Sequence, residues 1–445
     1  MSVDSESNTH DIVVVGGGAG GLELATGLGD TLGKRNQARI TLVDANLTHL
    51  WKPLLHEVAA GSLNSSEDEL SYLAQAHWHH FRFRLGRVDR VDREKRTIST
   101  APSKDEEGEE YIPRREFHYD TLIFAVGSVS NDFGIKGVRE HCHFIDHRSE
   151  ADQFHQHLLR SCYSAHAQPE SIRSGQLNIA IAGAGATGVE LAAELYSSTR
   201  ELVEFGLDRI IPEDHIKITI IEANDRILAG LPQHLSEEVM QQLQNLGIEI
   251  LTGERITEAR EDGFLTDSGK FIPSGLKVWA AGIKAPEFLT RIEGLETNKI
   301  HQLVVQPTLQ TTNDDNIFAF GDCAACPLPD GEGNVPPRAQ AAHQQASMLV
   351  KSMRCRLAGK PLPRYRYMDY GSLISMSRYS TVGSLMGSVA RLWSTQVFIE
   401  GTFARLVYMS LYKMHQLALH GFIRVAANTL ANVLTRRSRP RMKLH

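Results

Sequence analysis

Apolar positions along the chain fall in short, unbroken runs. Residues 12–15, 39–43, 121–126, 178–182, 216–221, 277–281 and 316–320 each read as a buried strand. Most of these runs end in a glycine or an acid: Gly16, Asp44, Gly127, Glu222, Gly282 and Gly321. Between them lie stretches with helical spacing, at 22–28, from 189 onward, and at 339–357. The strand, glycine turn, helix, strand order occurs twice, once at 12–44 and once at 178–222. Residues 101–116 are densely charged and predict a hairpin or surface loop, and 327–337 is a Pro/Gly-rich loop. The pattern predicts an α/β protein with two Rossmann-like dinucleotide-binding domains and a separate C-terminal region.

Composition adds bounds. A chain of 445 residues is too long for one ordinary domain. With 42% hydrophobic and 22% charged residues, it can build sizeable cores, and disorder is excluded. The net charge of −6 hides a split. Residues 401–445 hold eight basic side chains and no acid, so the first 400 residues carry 39 basic and 53 acidic groups, a net of −14. The polar N-terminus lacks the pattern of a secretory signal, and no run of 18 uncharged apolar residues predicts a membrane span. Five cysteines are odd and sparse, which fits a reducing compartment.

The two turns carry the chemistry. In Gly16-x-Gly18-x-x-Gly21 the first glycine permits a tight turn. The second admits a pyrophosphate, and the third lets helix pack on strand. Ala19 and Gly20 complete the loop, and the helix N-terminus offers free N–H groups to an anion. Asp44, at the end of the next strand, is placed to accept ribose hydroxyls. Gly183-x-Gly185-x-x-Gly188, with Thr187 inside it and Glu222 after it, repeats the arrangement. A single match would be weak; two in matching contexts predict two dinucleotide sites. Glu222 favours NADH, because a carboxylate binds the 2′-hydroxyl and repels a 2′-phosphate. The histidines at 77, 79 and 80 read as a solvated helix end, and no metal site is expected.

A third segment, Thr312-x-x-x-x-Ile317-Phe318-Ala319-Phe320-Gly321-Asp322, resembles the second FAD signature of two-dinucleotide flavoproteins. That resemblance implies non-covalent FAD at the first turn, with Asp322 at its ribityl and pyrophosphate region, and NADH as the substrate of the second turn. No cysteine lies at 45–75, where disulfide reductases carry their redox pair. Cys323-x-x-Cys326 reads as small residues packed beside Asp322, with a redox or metal role as the rival.

Several blocks resemble the type II NADH dehydrogenases, the single-chain NADH:quinone oxidoreductases of bacterial respiration. They are Leu42-Val43-Asp44, the stretch from His49 to Val58, the turn through Glu190, the stretch from Val278 to Pro286, Ala339-Gln340-Ala341-Ala342-His343-Gln344, and Gly371-Ser372-Leu373 with Thr381-Val382-Gly383. The resemblance implies Glu190 near the nicotinamide–flavin contact, Gln340 and Gln344 lining a quinone pocket, and Lys52 close to the isoalloxazine. Gln, Lys and Glu suit a centre that needs hydrogen-bond donors and a proton path. The plain alternatives are a helix N-terminal acid, a polar helix face and a surface lysine. Tyr370 stands where some relatives carry lysine, and no role is carried onto it.

In the tail, Phe403, Val407, Leu411, Met414, Ala418, Phe422 and Val425 share one side of a helical wheel, opposite Arg405, Lys413 and Arg424. That pattern predicts an interfacial helix on an anionic lipid surface. A docked C-terminal helix or a homodimer interface is the alternative, and nucleic acid is not expected as a partner.

The expectation is an FAD domain at 9–150 and 300–385, an NADH domain at 151–299, and a membrane-docking region at 386–445. The expected activity is non-pumping oxidation of NADH by a membrane quinone, ubiquinone or menaquinone, through FAD. The expected place is the cytoplasmic side of a bacterial inner membrane. Rival activities are a sulfide:quinone reductase and a flavin-based redox sensor or binding protein.

Overall fold

The computed structural model describes residues 9–64, 69–105, 107–168, 172–173, 175–329, 331, 333–377, 380–385 and 397–400, with Gln416, Leu419, Val425, Ala426 and Thr429 further on. The chain divides into two compact units. One comprises residues 1–51, 69–129 and 284–368; the other comprises 52–68, 130–283 and 369–445.

In the first unit a six-stranded sheet runs Gln310–Thr311, Asp314–Ala319, Thr121–Phe124, His10–Val15, Ala38–Asp44, Arg82–Leu85. All neighbours are parallel except the first pair. Ile12, Val13, Val14 and Val15 are buried, as are Leu122, Ile123 and Phe124 beside them. A parallel sheet covered on both faces demands such continuous apolar strands. Helices Ala19–Leu28 and Ala339–Leu357 pack together. The charged stretch forms the hairpin Ser103–Lys104 with Glu110–Ile112.

In the second unit a four-stranded parallel sheet runs Glu249–Leu251, Ile218–Ile221, Ile179–Ala182, Leu276–Trp279. Helix Ala186–Glu204 follows the glycine turn. A core of Val138, Ile221, Phe264, Ile272 and Trp279 joins this sheet to the antiparallel strands Ile256–Arg260, Gly263–Thr266 and Phe271–Pro273. The short helix Leu55–Ala60 lies against both Arg148–Ala167 and Ala186–Glu204. Strands Gly371–Met376, Ser380–Leu385 and Val397–Glu400 form an antiparallel sheet.

The α/β class with two Rossmann-like sheets is observed as expected. Both post-turn helices start three residues before the apolar periodicity does, at Ala19 and Ala186. The glycines at the end of each turn already have helical backbone, so small residues conceal the first helical turn from a hydrophobicity pattern. Most of the tail on which the interfacial helix was expected lies outside the described residues. Within it, Leu419 and Val425 are buried. No helix among the described residues is long and apolar enough to cross a membrane.

Candidate functional site

The two glycine turns have nearly the same geometry. Gly16 has φ +99° and Gly183 φ +98°, in the left-handed region that favours glycine. A Cβ on Gly21 would sit inside contact of the Gly16 carbonyl oxygen, and one on Gly188 would do the same to Gly183. Gly18 and Gly185, by contrast, face open space, with nothing within 4 Å of an added Cβ. Each is the N-cap of the helix that follows. Gly185, Ala186 and Thr187 are exposed among buried neighbours, as is Gly18. Both turns therefore form an open lip at a helix N-terminus, shaped for a pyrophosphate.

The acids lock the turns. Asp44 Oδ2 accepts the N–H of Gly17 at 2.7 Å, and its Oδ1 accepts the N–H of Asn46 at 2.8 Å. Glu222 Oε2 accepts the N–H of Ala184 at 2.8 Å, and its Oε1 accepts the N–H of Asn224 at 2.9 Å. Each carboxylate thus lies beside its cradle, where a ribose would meet it. Tyr72, missed in the sequence, adds a restraint in the first unit alone. Its buried hydroxyl donates to the Gly17 carbonyl at 2.7 Å. Burial pushes that phenol well above its ordinary value, so it remains a donor.

Gly127 and Gly282 occupy matching places beyond the strands beside each turn, with φ +65° and +64°. Asp322 follows Gly321, whose φ is +69°. Its carboxylate accepts the Ser128 hydroxyl at 2.8 Å, one residue beyond Gly127. The first unit therefore brings Gly16, Gly18, Ala19, Gly20, Gly21 and Asp44 together by one turn, and Gly127 together with Gly321-Asp322.

Gln340 and Gln344 lie in the first two turns of Ala339–Leu357. Gln344 is committed to the chain ahead of it: its Nε2 donates to the Met368 carbonyl at 2.7 Å, and its Oε1 accepts the Met368 N–H at 3.1 Å. The neighbouring Gln345, missed in the sequence, is the buried glutamine of this stretch.

In the second unit Glu190 is the fifth residue of its helix and is buried. It is not a solvated helix N-terminal acid. Burial raises its carboxyl to about 8, against hydrogen bonding from the Ser375 N–H at 3.1 Å; Glu57 and Glu194 push the same way as burial. His56 Nδ1 lies 3.8 Å from Glu190 Oε2. Burial holds that imidazole down at about 4, so the two face each other as neutral groups, not as an ion pair. Lys52 is half exposed and reaches Asp146 at 3.5 Å. Asp146 in turn accepts the Ser130 N–H at 2.7 Å.

The cysteines read as packing. Cys323 and Cys326 are buried, and burial pushes their thiols up to about 12 and about 11. A thiol must ionise to attack, so neither is poised for sulfur chemistry. Cys323→Ser should leave NADH oxidation within about twofold, as expected for a site outside the chemistry; steady-state rates check this. His79 is partly buried and bonds Asp30 at 3.0 Å, between exposed His77 and His80. Among the described residues, Asp11, His118 and Asp120 are the one set close enough to hold a metal, and Asp11 is already paired with Arg39.

Two acid-locked glycine turns, each between a parallel strand and a helix of its own unit, are the arrangement of the two-nucleotide oxidoreductases. Residues 10–346 match the family model described as pyridine nucleotide-disulphide oxidoreductase. The chain is 42% identical to the type II NADH:quinone oxidoreductase of Haemophilus influenzae, over 98% of this chain and all of that one. It is 29% identical to the protein of that name from Staphylococcus aureus, over 84% of this chain and 90% of that one. The chain belongs to the pyridine nucleotide-disulphide oxidoreductase family, and within it to the type II NADH:quinone oxidoreductases. Its fold is also that of the Plasmodium falciparum NDH2 solved with NADH, with TM-score 0.81, 19% identity, and 98% and 100% of the two chains covered. The sulfide:quinone oxidoreductase of Aquifex aeolicus shares the fold at TM-score 0.71 and 17% identity, over 96% and 95% of the two chains.

Proposed function

We infer that this protein is a respiratory NADH:quinone oxidoreductase that does not pump protons. The observation that carries the reading is the pair of matched cradles in a chain related end to end to the Haemophilus enzyme. Purified protein should oxidise NADH with a short-chain quinone at 1 s⁻¹ or faster, since typical enzymes turn over at roughly 1–10³ s⁻¹. A slower rate would point to a sensor or binding protein.

The cofactor of the reading is FAD, held without a covalent bond, in the first unit. Gly16, Gly18, Ala19, Gly20 and Gly21 would receive its pyrophosphate, Asp44 its ribose, and Gly127, Gly321 and Asp322 its ribityl region. The open lip at Gly18 and the lock between Asp44 and Gly17 support this fit. Absorbance of the released cofactor, with its mass, identifies it. NADH would take Gly183, Gly185, Thr187, Gly188 and Gly282, with Glu222 on its ribose. A 2′-phosphate there would meet a carboxylate, and like charges so placed cost several kcal/mol. NADPH should therefore be used about 10²-fold less efficiently. Comparable kcat/KM for the two nucleotides would overturn the assignment of Glu222.

A flavin bound there would supply the hydride and electron chemistry between NADH and quinone. The chain supplies the rest. Reduction of quinone with one hydride equivalent consumes one further proton. Glu190, neutral near pH 7 and fixed by the Ser375 N–H, suits the storage of that proton. Lys52, anchored by Asp146, would hold positive charge. Gln340 would position the quinone; Gln344, whose amide is bonded at both ends to Met368, would act there by holding that segment. The domain expectation also stands as a proposal: FAD at 9–150 and 300–385, NADH at 151–299. So does peripheral attachment through 386–445 to anionic lipid, on the cytoplasmic side. Truncation after residue 395 should abolish association with anionic liposomes, and unchanged association would sink the tail as anchor.

A further inference from the structure

Helix Ala339–Leu357 carries three glutamines in its first two turns, and Gln345 alone among them is buried, at 1% exposure. Its Oε1 accepts the N–H of Gly321 at 2.7 Å. Gly321 opens a short 3-10 turn, Gly321–Cys323, so its N–H has no partner within that turn. The residue after it, Asp322, is held twice more. Gln302 is also buried and donates its Nε2 to the Asp322 carbonyl at 2.9 Å. Asn298 orients that amide from behind, with Nδ2 on Gln302 Oε1 at 2.8 Å. Ser128 holds the carboxylate at 2.8 Å.

Gly321 sits at φ +69° and has no Cβ, so sterics alone do little to fix the peptide on either side of it. A buried acceptor aimed at its N–H provides the restraint that a side chain would give elsewhere. We propose that Gln345 is a positioning residue for the flavin: it fixes the Gly321-Asp322 turn, and so the aim of the Asp322 carboxylate. It also ties that turn to the helix that presents Gln340 and Gln344. The inference rests on the reading that Asp322 meets the flavin.

The test compares Gln345→Met, of similar shape but without the acceptor, with the parent holoenzyme. Ser352→Ala is the packing control, being buried on the same helix and apart from the turn. Three quantities are read. They are the flavin dissociation constant on titrating FAD back into deflavinated protein, amide exchange over residues 318–323, and the unfolding midpoint. Loss of a buried partner costs enough to weaken binding about tenfold. Gln345→Met should therefore bind FAD about tenfold more weakly and exchange faster at 318–323. Excess FAD should restore its NADH oxidation. A dissociation constant within twofold of the parent overturns the proposal. So does an equal loss in Ser352→Ala at a matched unfolding midpoint, because the effect is then general packing. Asp322→Ala separates the two levels. If it loses FAD while Gln345→Met keeps it, the positioning role alone fails. If it keeps FAD, the underlying reading of Asp322 fails.

Discussion

Replacing Glu190 by Gln should stabilise the protein at pH 8 and, in the same molecule, cut its turnover about 10²-fold or more, the usual contribution of a placed proton donor. The stability half follows from burial. Unfolded, the carboxyl titrates at its ordinary 4.5; folded, it is raised to about 8. Between those values the unfolded chain is ionised while the folded chain keeps its proton. Each pH unit in that window then removes about 1.4 kcal/mol of stability. The contribution is fully present below 4.5 and is lost as pH rises through 8. An amide of the same shape does not titrate and still accepts the Ser375 N–H. Stability of the variant should vary less between pH 5 and 8, with the largest gain at the alkaline end. Denaturant midpoints across that window check the first half, and kcat the second. A variant less stable than the parent at pH 8 would refute the buried neutral acid. A variant with parental kcat would remove Glu190 from the chemistry.

Valine at the third glycine of each turn should separate the two cofactors. Its Cβ at position 188 would press on the Gly183 carbonyl and displace the helix from the strand. Overpacking of that kind costs roughly 1–3 kcal/mol, and the displaced cradle no longer meets the pyrophosphate. Gly188→Val should raise KM for NADH about 10²-fold while the purified protein keeps its yellow flavin. Gly21→Val should lose the flavin instead. Equal flavin loss in both would mean that the two turns do not serve different nucleotides. Absorbance after dialysis and NADH titration read the two effects separately.

Most of the fold was legible because its signals are local. A glycine turn between strand and helix is written within a few residues, and so is the strand that follows with its terminal acid. That order set Asp44 and Glu222 beside their turns, and the structure added their bonds to the N–H groups of Gly17 and Ala184. Helix Ala339–Leu357 was legible to the residue because its apolar spacing runs unbroken. The state of Glu190 was only half legible. Val189-Glu190-Leu191-Ala192-Ala193-Glu194-Leu195 places two acids at i and i+4 in an otherwise apolar stretch, a usable sign of buried carboxyls. What meets Glu190 there, His56 and the Ser375 backbone, comes from segments over a hundred residues away in each direction.

The sequence by itself determined the class of the protein. Two turns and their acids suffice to place the chain among the two-nucleotide oxidoreductases, since the requirements for cradling a pyrophosphate are met by neighbours along the chain. Only the tertiary structure decided which of the three glutamines at 340, 344 and 345 faces inward, which tyrosine braces the first turn, and that Glu190 is neutral. Those outcomes depend on which distant backbone groups need a partner and on how far burial shifts a proton equilibrium. Neither quantity is encoded in local spacing; both arise when separate segments are packed together and water is removed from between them.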